Sequence, residues 1–260
     1  MTITGDADRE SMELAVHARW SPAVATELRT GIHKCLAEHP VAVLIDLHDL
    51  GDPQGHSAPM WLAAYHAGTI PEPPVRLALC VPPSTLLAGR LRRIGVPHFL
   101  PMYASMPEAR SALARSLPLP DHLRLVLPPV PATARRAAVL VEEACSAWRL
   151  APLVSAARTI VCELVTNAVE HAATDIAVVV SRRGSGLYLS VHDEDPRLPR
   201  LPDPAPPDPG TPGGGMGLRI VHAAADAWGA RSIGPGKIVW ATVRGAPASR
   251  PPRLRGPHPG

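Results

Sequence analysis

The stretch ELVTNAVEH, residues 163–171, decides the fold of this chain. If it forms a helix, Glu163, Asn167 and His171 are spaced by four and share one face, with apolar residues beside them. A carboxylate can accept a proton or hold a water molecule, and an amide oxygen is a suitable ligand for Mg²⁺. Taken alone, the stripe is ambiguous, because a solvated helix surface also explains it.

A glycine-rich segment, GGGMGL at residues 213–218, precedes a helix predicted over residues 219–228. Glycines allow a close approach of the backbone to a ligand, and a helix N-terminus favours anions. No Lys-Ser/Thr pair follows the glycines and no strand leads directly into them, so neither a Walker loop nor a dinucleotide fingerprint is present. The segment is a candidate phosphate cradle, although simple flexibility would also explain it.

Acidic residues end a predicted strand at VHDEDP, residues 191–196. Asp193 could accept a hydrogen bond from the exocyclic amine of a base, or it could be a solvated strand end. Between this strand and the glycines, eight of the seventeen residues 196–212 are proline, so the segment is neither a central strand nor a helix. A loop of that length in a compact domain is usually functional or disordered.

The order of these features resembles the Bergerat nucleotide-binding fold of the GHKL superfamily, and within it the anti-sigma factor serine kinases of actinobacterial regulators. The resemblance covers residues 123–244 and includes Trp228-Gly229 and the segment GKIVWA at residues 236–241. It implies ATP and Mg²⁺ as cofactors, with the proline-rich loop as an ATP lid. It also implies that Glu163 is the catalytic base and that Asn167 is the magnesium ligand.

The remaining candidate nucleotide-binding residues lie on the helix end, the strand end and the glycine segment. Asp193 would bind the adenine amino group, and His171 could donate to a phosphate or could simply complete the helix dipole. The glycine segment supplies Gly213, Gly215, Met216, Gly217 and Leu218. Two positions depart from the family pattern. The usual acid-x-Gly turn is replaced by Asp193-Glu194-Asp195-Pro196, and Met216 stands where an arginine is often found.

Two kinds of secondary-structure order divide the chain near residues 116–122. Strands and helices alternate in the first half, which predicts an α/β sheet covered by helices. In the second half, helices precede a set of antiparallel strands, which predicts a two-layer α+β sandwich. The helices of the first half are predicted over residues 22–38, 58–67, 84–94 and 107–116, with strands over 41–47, 75–81 and 97–102. In the second half, helices are predicted over residues 132–148 and 152–172, and strands over 123–127, 175–183, 186–194, 230–233 and 237–243.

The first half resembles a STAS domain, the fold of anti-sigma factor antagonists, over residues 11–116. The resemblance rests on the strand ending in IDL and the following HDL, residues 45–50. A gap-free alignment puts Gly55 at the position of the phosphoacceptor serine, and a two-residue slip puts Ser57 there, after His56. The Asp-Ser pair of the family is absent in both cases, so we expect a degenerate phosphoacceptor.

The two resemblances imply a STAS-like domain over residues 1–117 and a histidine-kinase-like ATPase domain over 118–245. The composition of residues 246–260 predicts a disordered basic tail. The net charge of +3 is accounted for by three arginines in the tail, so the near-neutral body argues against a nucleic-acid-binding face. The longest aliphatic run is short and the N-terminus is polar and acidic, so we expect a cytoplasmic protein with no membrane span.

These features leave two functional hypotheses open. In the first, the chain is a regulatory serine/threonine kinase of transcription that binds Mg-ATP and phosphorylates a STAS-type antagonist, with a sigma factor as a further partner and a homodimer as the assembly that the resemblance suggests. In the second, it is a regulatory scaffold without turnover, for which ATP is at most a conformational ligand. A sensor histidine kinase is disfavoured, because no helix pair with a phosphoacceptor histidine precedes the nucleotide half.

Overall fold

The chain folds into two compact units, Met1–Pro120 and Asp121–Gly260, and each is described by itself. The computed structural model describes residues 1–6, 10–71, 73–116, 122–199, 216–233 and 235–245. Most of the predicted linker and lid and the whole predicted tail lie outside these residues. Within them, no helix is long and apolar enough to cross a membrane.

The first unit is built on a mixed five-stranded sheet with strand order β1-β2-β4-β6-β7. Its first two strands form an antiparallel pair, and the strands from β2 to β7 are parallel to one another. A separate pair joins β3 and β5. The described strands are β1 (Thr2–Asp6), β2 (Ser11–Ala15), β3 (Ala18–Arg19), β4 (Ala42–Asp46), β5 (Leu50–Gly51), β6 (Arg76–Cys80) and β7 (Met102–Tyr103). The helices are α1 (Pro22–Ala37), α2 (Ala58–Thr69), α3 (Leu86–Arg93) and α4 (Met106–Ser116).

Helices cover both faces of this sheet, as the alternation of buried residues along β4 requires. Val43 and Ile45 face a core shared with α1, α2 and α3, whereas Ala42 and Leu44 face α4. A strand buried on both faces has a largely aliphatic sequence, as VAVLIDL at residues 41–47 has. The predicted α/β class of this half is confirmed.

The strand predicted over residues 97–102 is wrong. Val96–His98 forms a single 3₁₀ turn, and only Met102–Tyr103 pairs with the sheet. Gly95 precedes the turn with a φ of 77°, and the proline that follows Val96 has no backbone N–H to donate to a neighbouring strand. The N-terminal strands β1 and β2 were not predicted, because their short sequences carry little β pattern. In the sheet, β2 pairs with β4 and β1 pairs with β2.

The second unit is an antiparallel five-stranded sheet with strand order β11-β12-β10-β9-β8, packed against helices. Its core joins the apolar sides of α5 and α6 to one face of the sheet. The strands are β8 (His122–Leu127), β9 (Ile176–Arg183), β10 (Gly186–Asp193), β11 (Ala227–Ile233) and β12 (Gly236–Arg244). The helices are α5 (Ala132–Ala147), α6 (Val154–His171) and α7 (Met216–Ala224). The two-layer architecture predicted for this half is confirmed.

Local features of the sequence predict most of the helices and strands of this unit. The turn between β9 and β10 contains Gly184 at a φ of 60°, a conformation that glycine adopts without strain, and Arg183 pairs with Gly186 across it. The helix predicted to reach Trp228 is wrong at its end, because α7 stops at Ala224 and Trp228 lies in β11 opposite Ala241. The backbone N–H of Asp226 donates to the carbonyl oxygen of Thr242 in β12 instead of continuing the helix. The chain therefore joins the sheet before the predicted end of the helix.

Candidate functional site

The helix α6 carries the polar stripe along the border of the core. Its buried side, which includes Ile160, Leu164 and Ala168, packs against the sheet. Glu163 and Asn167 are half-buried on the adjoining side. Within the described part of the chain, neither side chain has a hydrogen-bond or ion-pair partner. Both side chains keep part of their surface exposed, so their polar atoms are open to a ligand.

The helix α7 brings the glycine segment to this stripe. It packs against α6, and a β-carbon added to Gly217 would lie 2.7 Å from Glu163 Oε2. Leu218 is buried and anchors α7, whereas Met216 is 59% exposed. The structure therefore brings the predicted catalytic carboxylate and the second half of the glycine segment together. Gly213 and Gly215 lie outside the described residues.

Asp193 ends β10 and is almost completely buried, with 1% of the residue exposed. Its Oδ1 accepts a hydrogen bond from Lys237 Nζ at 2.9 Å and another from the backbone N–H of Asp195 at 2.9 Å. The ammonium of Lys237 also binds the carbonyl of Asp195 at 3.1 Å and its Oδ2 at 3.2 Å. Asp193 is thus not a solvated strand end but half of a buried ion pair.

The segment after Asp193 is held against the end of α6. Glu194 donates its backbone N–H to Thr174 Oγ1, and Arg197 donates to the carbonyl oxygen of His171 at 3.2 Å. Arg197 also binds Asp195 Oδ1 at 2.9 Å. This guanidinium, with a further contribution from Lys237, holds the pKa of the Asp195 carboxyl well below its usual range. The His171 side chain is exposed, so here the residue acts through its backbone.

Lys237 is a residue of the site that the sequence motifs do not predict. Its segment, GKIVWA, supports the family resemblance but assigns no role to the lysine. The available signal was its position, two residues before Val239 and four before Ala241, both of which face the helices. A lysine at the core-facing position of a buried strand demands a buried acidic partner.

An open groove of about 590 Å³ runs along the N-terminal half of α6 and reaches Glu163. Ser155 and Thr159 continue the polar stripe at spacing four on this side. Arg158 lies at the groove as well and is paired with Glu142 at 2.9 Å. The groove is lined by Ala151, Pro152, Val154, Ser155, Arg158, Thr159, Cys162 and Glu163. Glu163 therefore stands between this groove and the side of the stripe that holds Asn167.

The donors present fit a magnesium ion carried by a nucleotide better than a resident metal. No group of three or more His, Cys, Asp or Glu side chains in the described part of the chain could hold an ion. Asn167 offers one amide oxygen, and Mg²⁺ usually takes one or two protein ligands and completes its coordination with phosphate oxygens and water.

In the first unit, Ser57 occupies the position just before α2 and is fully buried. Its backbone N–H donates to Asp52 Oδ2 at 2.8 Å, and its hydroxyl oxygen accepts a hydrogen bond from Trp61 Nε1 at 3.0 Å. The alternative position, Gly55, has a φ of 67° and carries no hydroxyl. Neither candidate presents an accessible phosphoacceptor.

Residues 127–243 match the family of histidine kinase-like ATPase domains, so the second unit contains such a domain, as the resemblance predicted. No curated protein matches the chain. Among solved structures, an anti-sigma factor antagonist from Mycobacterium paratuberculosis is similar at a TM-score of 0.36 and 20% identity, over 44% of this chain and 95% of that one. The RsbU and RsbW domains of Rv1364c from Mycobacterium tuberculosis are similar at a TM-score of 0.34 and 22% identity, over 47% of this chain. The match spans about a third of that structure's length, 32%.

Proposed function

We propose that this chain, whose second unit contains a histidine kinase-like ATPase domain, binds Mg-ATP and transfers its γ-phosphoryl group to a serine or threonine of a separate regulatory protein. The observation that carries this proposal is the position of Glu163. It lies beside Gly217 of the glycine segment, one helical turn from Asn167, and at the end of an open groove.

Glu163 and Asn167 each have a role in this reaction. Asn167 would hold the magnesium ion that neutralises phosphate charge, and the N-terminus of α7 would face the phosphates. Glu163 would accept the proton of the attacking hydroxyl as the new oxygen–phosphorus bond forms and the bond to the ADP oxygen breaks. Since Glu163 has no internal partner in the described part of the chain, its carboxylate is free for that proton.

The groove supports transfer to another protein. It approaches Glu163 from the side away from Asn167, so a hydroxyl and a nucleotide could reach the carboxylate from opposite directions. The chain's own Ser57 is unsuited as the acceptor because its hydroxyl is buried and bound by Trp61. A STAS-type antagonist is the acceptor that the resemblance implies, and a sigma factor is the further partner that it implies.

A second candidate function is a regulatory scaffold that binds ATP without turnover. The observation in its favour is that Asp193, the expected adenine ligand, is engaged by Lys237 inside the protein. In that case nucleotide binding would only change the conformation presented to a protein partner.

Labelled ATP separates the two candidates. We expect the wild-type chain with Mg²⁺ to transfer phosphate to a STAS-type protein, and Glu163→Gln to lose about 10²–10⁴ of the rate while still binding ATP, since the amide cannot accept the proton. Asn167→Ala should lose the magnesium-dependent part of ATP binding in calorimetry. Binding without transfer in the wild type would favour the scaffold. No binding at millimolar ATP would contradict the kinase and any role of ATP as a conformational ligand, and would leave only a protein-binding scaffold.

A further inference from the structure

Lys237 is one of only two lysines in a chain with many arginines, and it is buried to 1% exposure. Its ammonium meets three acceptors: Asp193 Oδ1, the carbonyl oxygen of Asp195 and Asp195 Oδ2. A compact ammonium has three protons to donate, so its hydrogen-bonding capacity is fully used. A lysine donates in three directions from one atom, whereas the guanidinium of an arginine donates within one plane, so the two are not equivalent at this position.

Stability alone is a weak reason for such a group. A buried ion pair can often be replaced by apolar residues without loss of stability, because the cost of desolvating the charges offsets their attraction. What the pair does supply here is a fixed orientation of the Asp193 carboxylate.

The approach of the two residues is built into the backbone. Asp193 and Lys237 are paired in register at the end of β10 and the beginning of β12. A β-carbon on Gly236 would clash with the backbone carbonyl oxygen of Asp193, so only glycine lets β12 begin this close to the strand end. The Gly236-Lys237 dipeptide therefore places the ammonium of Lys237 beside the carboxylate of Asp193.

The same contacts replace the missing glycine turn after Asp193. The backbone N–H of Asp195 and the ammonium of Lys237 both bind Oδ1 of Asp193. Within the described residues, Oδ2 of Asp193 has no hydrogen-bond partner. One oxygen is therefore saturated by the protein, and the other is the oxygen that remains for a ligand.

We propose that Lys237 is a positioning residue for base recognition: it holds Oδ1 of Asp193 so that Oδ2 accepts a hydrogen bond from the 6-amino group of adenine. This inference rests on the proposed binding of ATP. Lys237 does not contact the base, and it acts through Asp193. Asp195 is the second anchor of the ammonium and supports the same orientation.

The test compares ATP with ITP, which carries an oxo group in place of the 6-amino group. Affinities are measured by calorimetry on the full chain with Mg²⁺. We expect the wild type to prefer ATP by about tenfold or more, because ITP leaves the buried carboxylate oxygen unpaired. In Lys237→Met, the ratio of the ATP affinity to the ITP affinity should fall close to one, because ATP binding weakens while ITP binding changes little. Asp195→Asn should give an intermediate ratio.

Lys34→Met is the matched control, because the other lysine is exposed on α1 and its loss should leave the ratio unchanged. A purely structural role of Lys237 would lower the melting temperature without changing base discrimination. An unchanged ratio in Lys237→Met, or tighter ATP binding, would overturn the inference. If that variant does not fold, an unchanged ratio in Asp195→Asn has the same meaning.

The failure of the inference and the failure of the proposed function look different. A wild type that binds ATP and ITP equally well refutes base recognition through Asp193 and leaves nucleotide binding intact. A wild type that binds neither nucleotide refutes the proposed function, and the inference with it.

Discussion

Gly217 leaves no room for a side chain beside Glu163, since a β-carbon there would lie 2.7 Å from Oε2 of the carboxylate. The two residues belong to motifs that are far apart in the sequence, and the packing of α7 on α6 brings them into contact. The carboxylate is the flexible end of its side chain, so a larger residue would displace it at little cost in stability. Its position should matter more to the chemistry than to the fold.

Gly217→Ala should therefore separate activity from stability. We expect the rate of phosphotransfer to fall at least tenfold, because a misplaced base loses its geometry toward the hydroxyl. The free energy of unfolding should stay constant or rise by about 0.5–1 kcal/mol, because alanine favours a helix over glycine. Single-turnover kinetics and denaturant unfolding measure the two effects.

Gly89→Ala is the control for this substitution. Gly89 lies within α3, and a β-carbon there would meet no atom within 4 Å. The variant should gain the same helix stabilisation without any change in phosphotransfer. Full activity in Gly217→Ala would argue against Glu163 as the base.

Ser57→Ala should weaken the first unit and leave its phosphate content unchanged. Removing the hydroxyl leaves the buried indole N–H of Trp61 without its acceptor, which costs about 1–3 kcal/mol. Denaturant unfolding measures the loss, and Ser84→Ala, an exposed serine, should stay within about 0.5 kcal/mol of the wild type. Labelled phosphate on Ser57 in the native chain would contradict its structural role.

His48 should make the stability of the first unit depend on pH. Its Nδ1 lies 2.6 Å from Asp46 Oδ1 and its Nε2 lies 2.9 Å from the carbonyl oxygen of Ala104, so both ring nitrogens face acceptors. The hydrogen bond with Asp46 raises the pKa of His48 from its usual value near 6.5, with smaller contributions from Ala104 and from the charge of Asp49.

A raised pKa in the folded state means that protonation favours folding. The contribution of His48 is therefore complete below about pH 6.5 and is lost as the pH rises through the raised value. The difference in unfolding free energy between the wild type and His48→Asn should shrink from pH 5.5 to pH 8.5, as measured by urea titration. A difference that grows with pH would show that the imidazole is not protonated in the fold.

Gly236→Ala should destabilise the second unit. The added β-carbon would come far too close to the backbone carbonyl of Asp193, which cannot move aside as a side chain can. We expect a loss of about 1–3 kcal/mol in denaturant unfolding, as for an overpacked core. Gly245→Ala is the comparison within the same unit, since its β-carbon would lie 3.2 Å from the Ser185 carbonyl oxygen and needs only a small adjustment.

Much of the second unit was predictable because its signals are local. The spacing of Glu163 and Asn167 follows from the helix period alone, and the turn at Gly184 follows from the conformation that a tight hairpin demands. The prediction of a strand over residues 97–102 was wrong, because this segment, which contains a proline, forms a turn more readily than a strand paired in a sheet. Trp228 was assigned to a helix although its pairing with Ala241 places it in a strand.

The order of motifs along the chain by itself determined the two fold classes, the polar stripe of α6 and the candidate catalytic residues, since helix period and glycine position are properties of neighbouring residues. Only the tertiary structure decided which of these groups meet. Lys237 and Asp193 are brought together by the register of β12 against β10, and Gly217 and Glu163 by the packing of two helices. Such contacts depend on distances between distant segments, which no local pattern encodes.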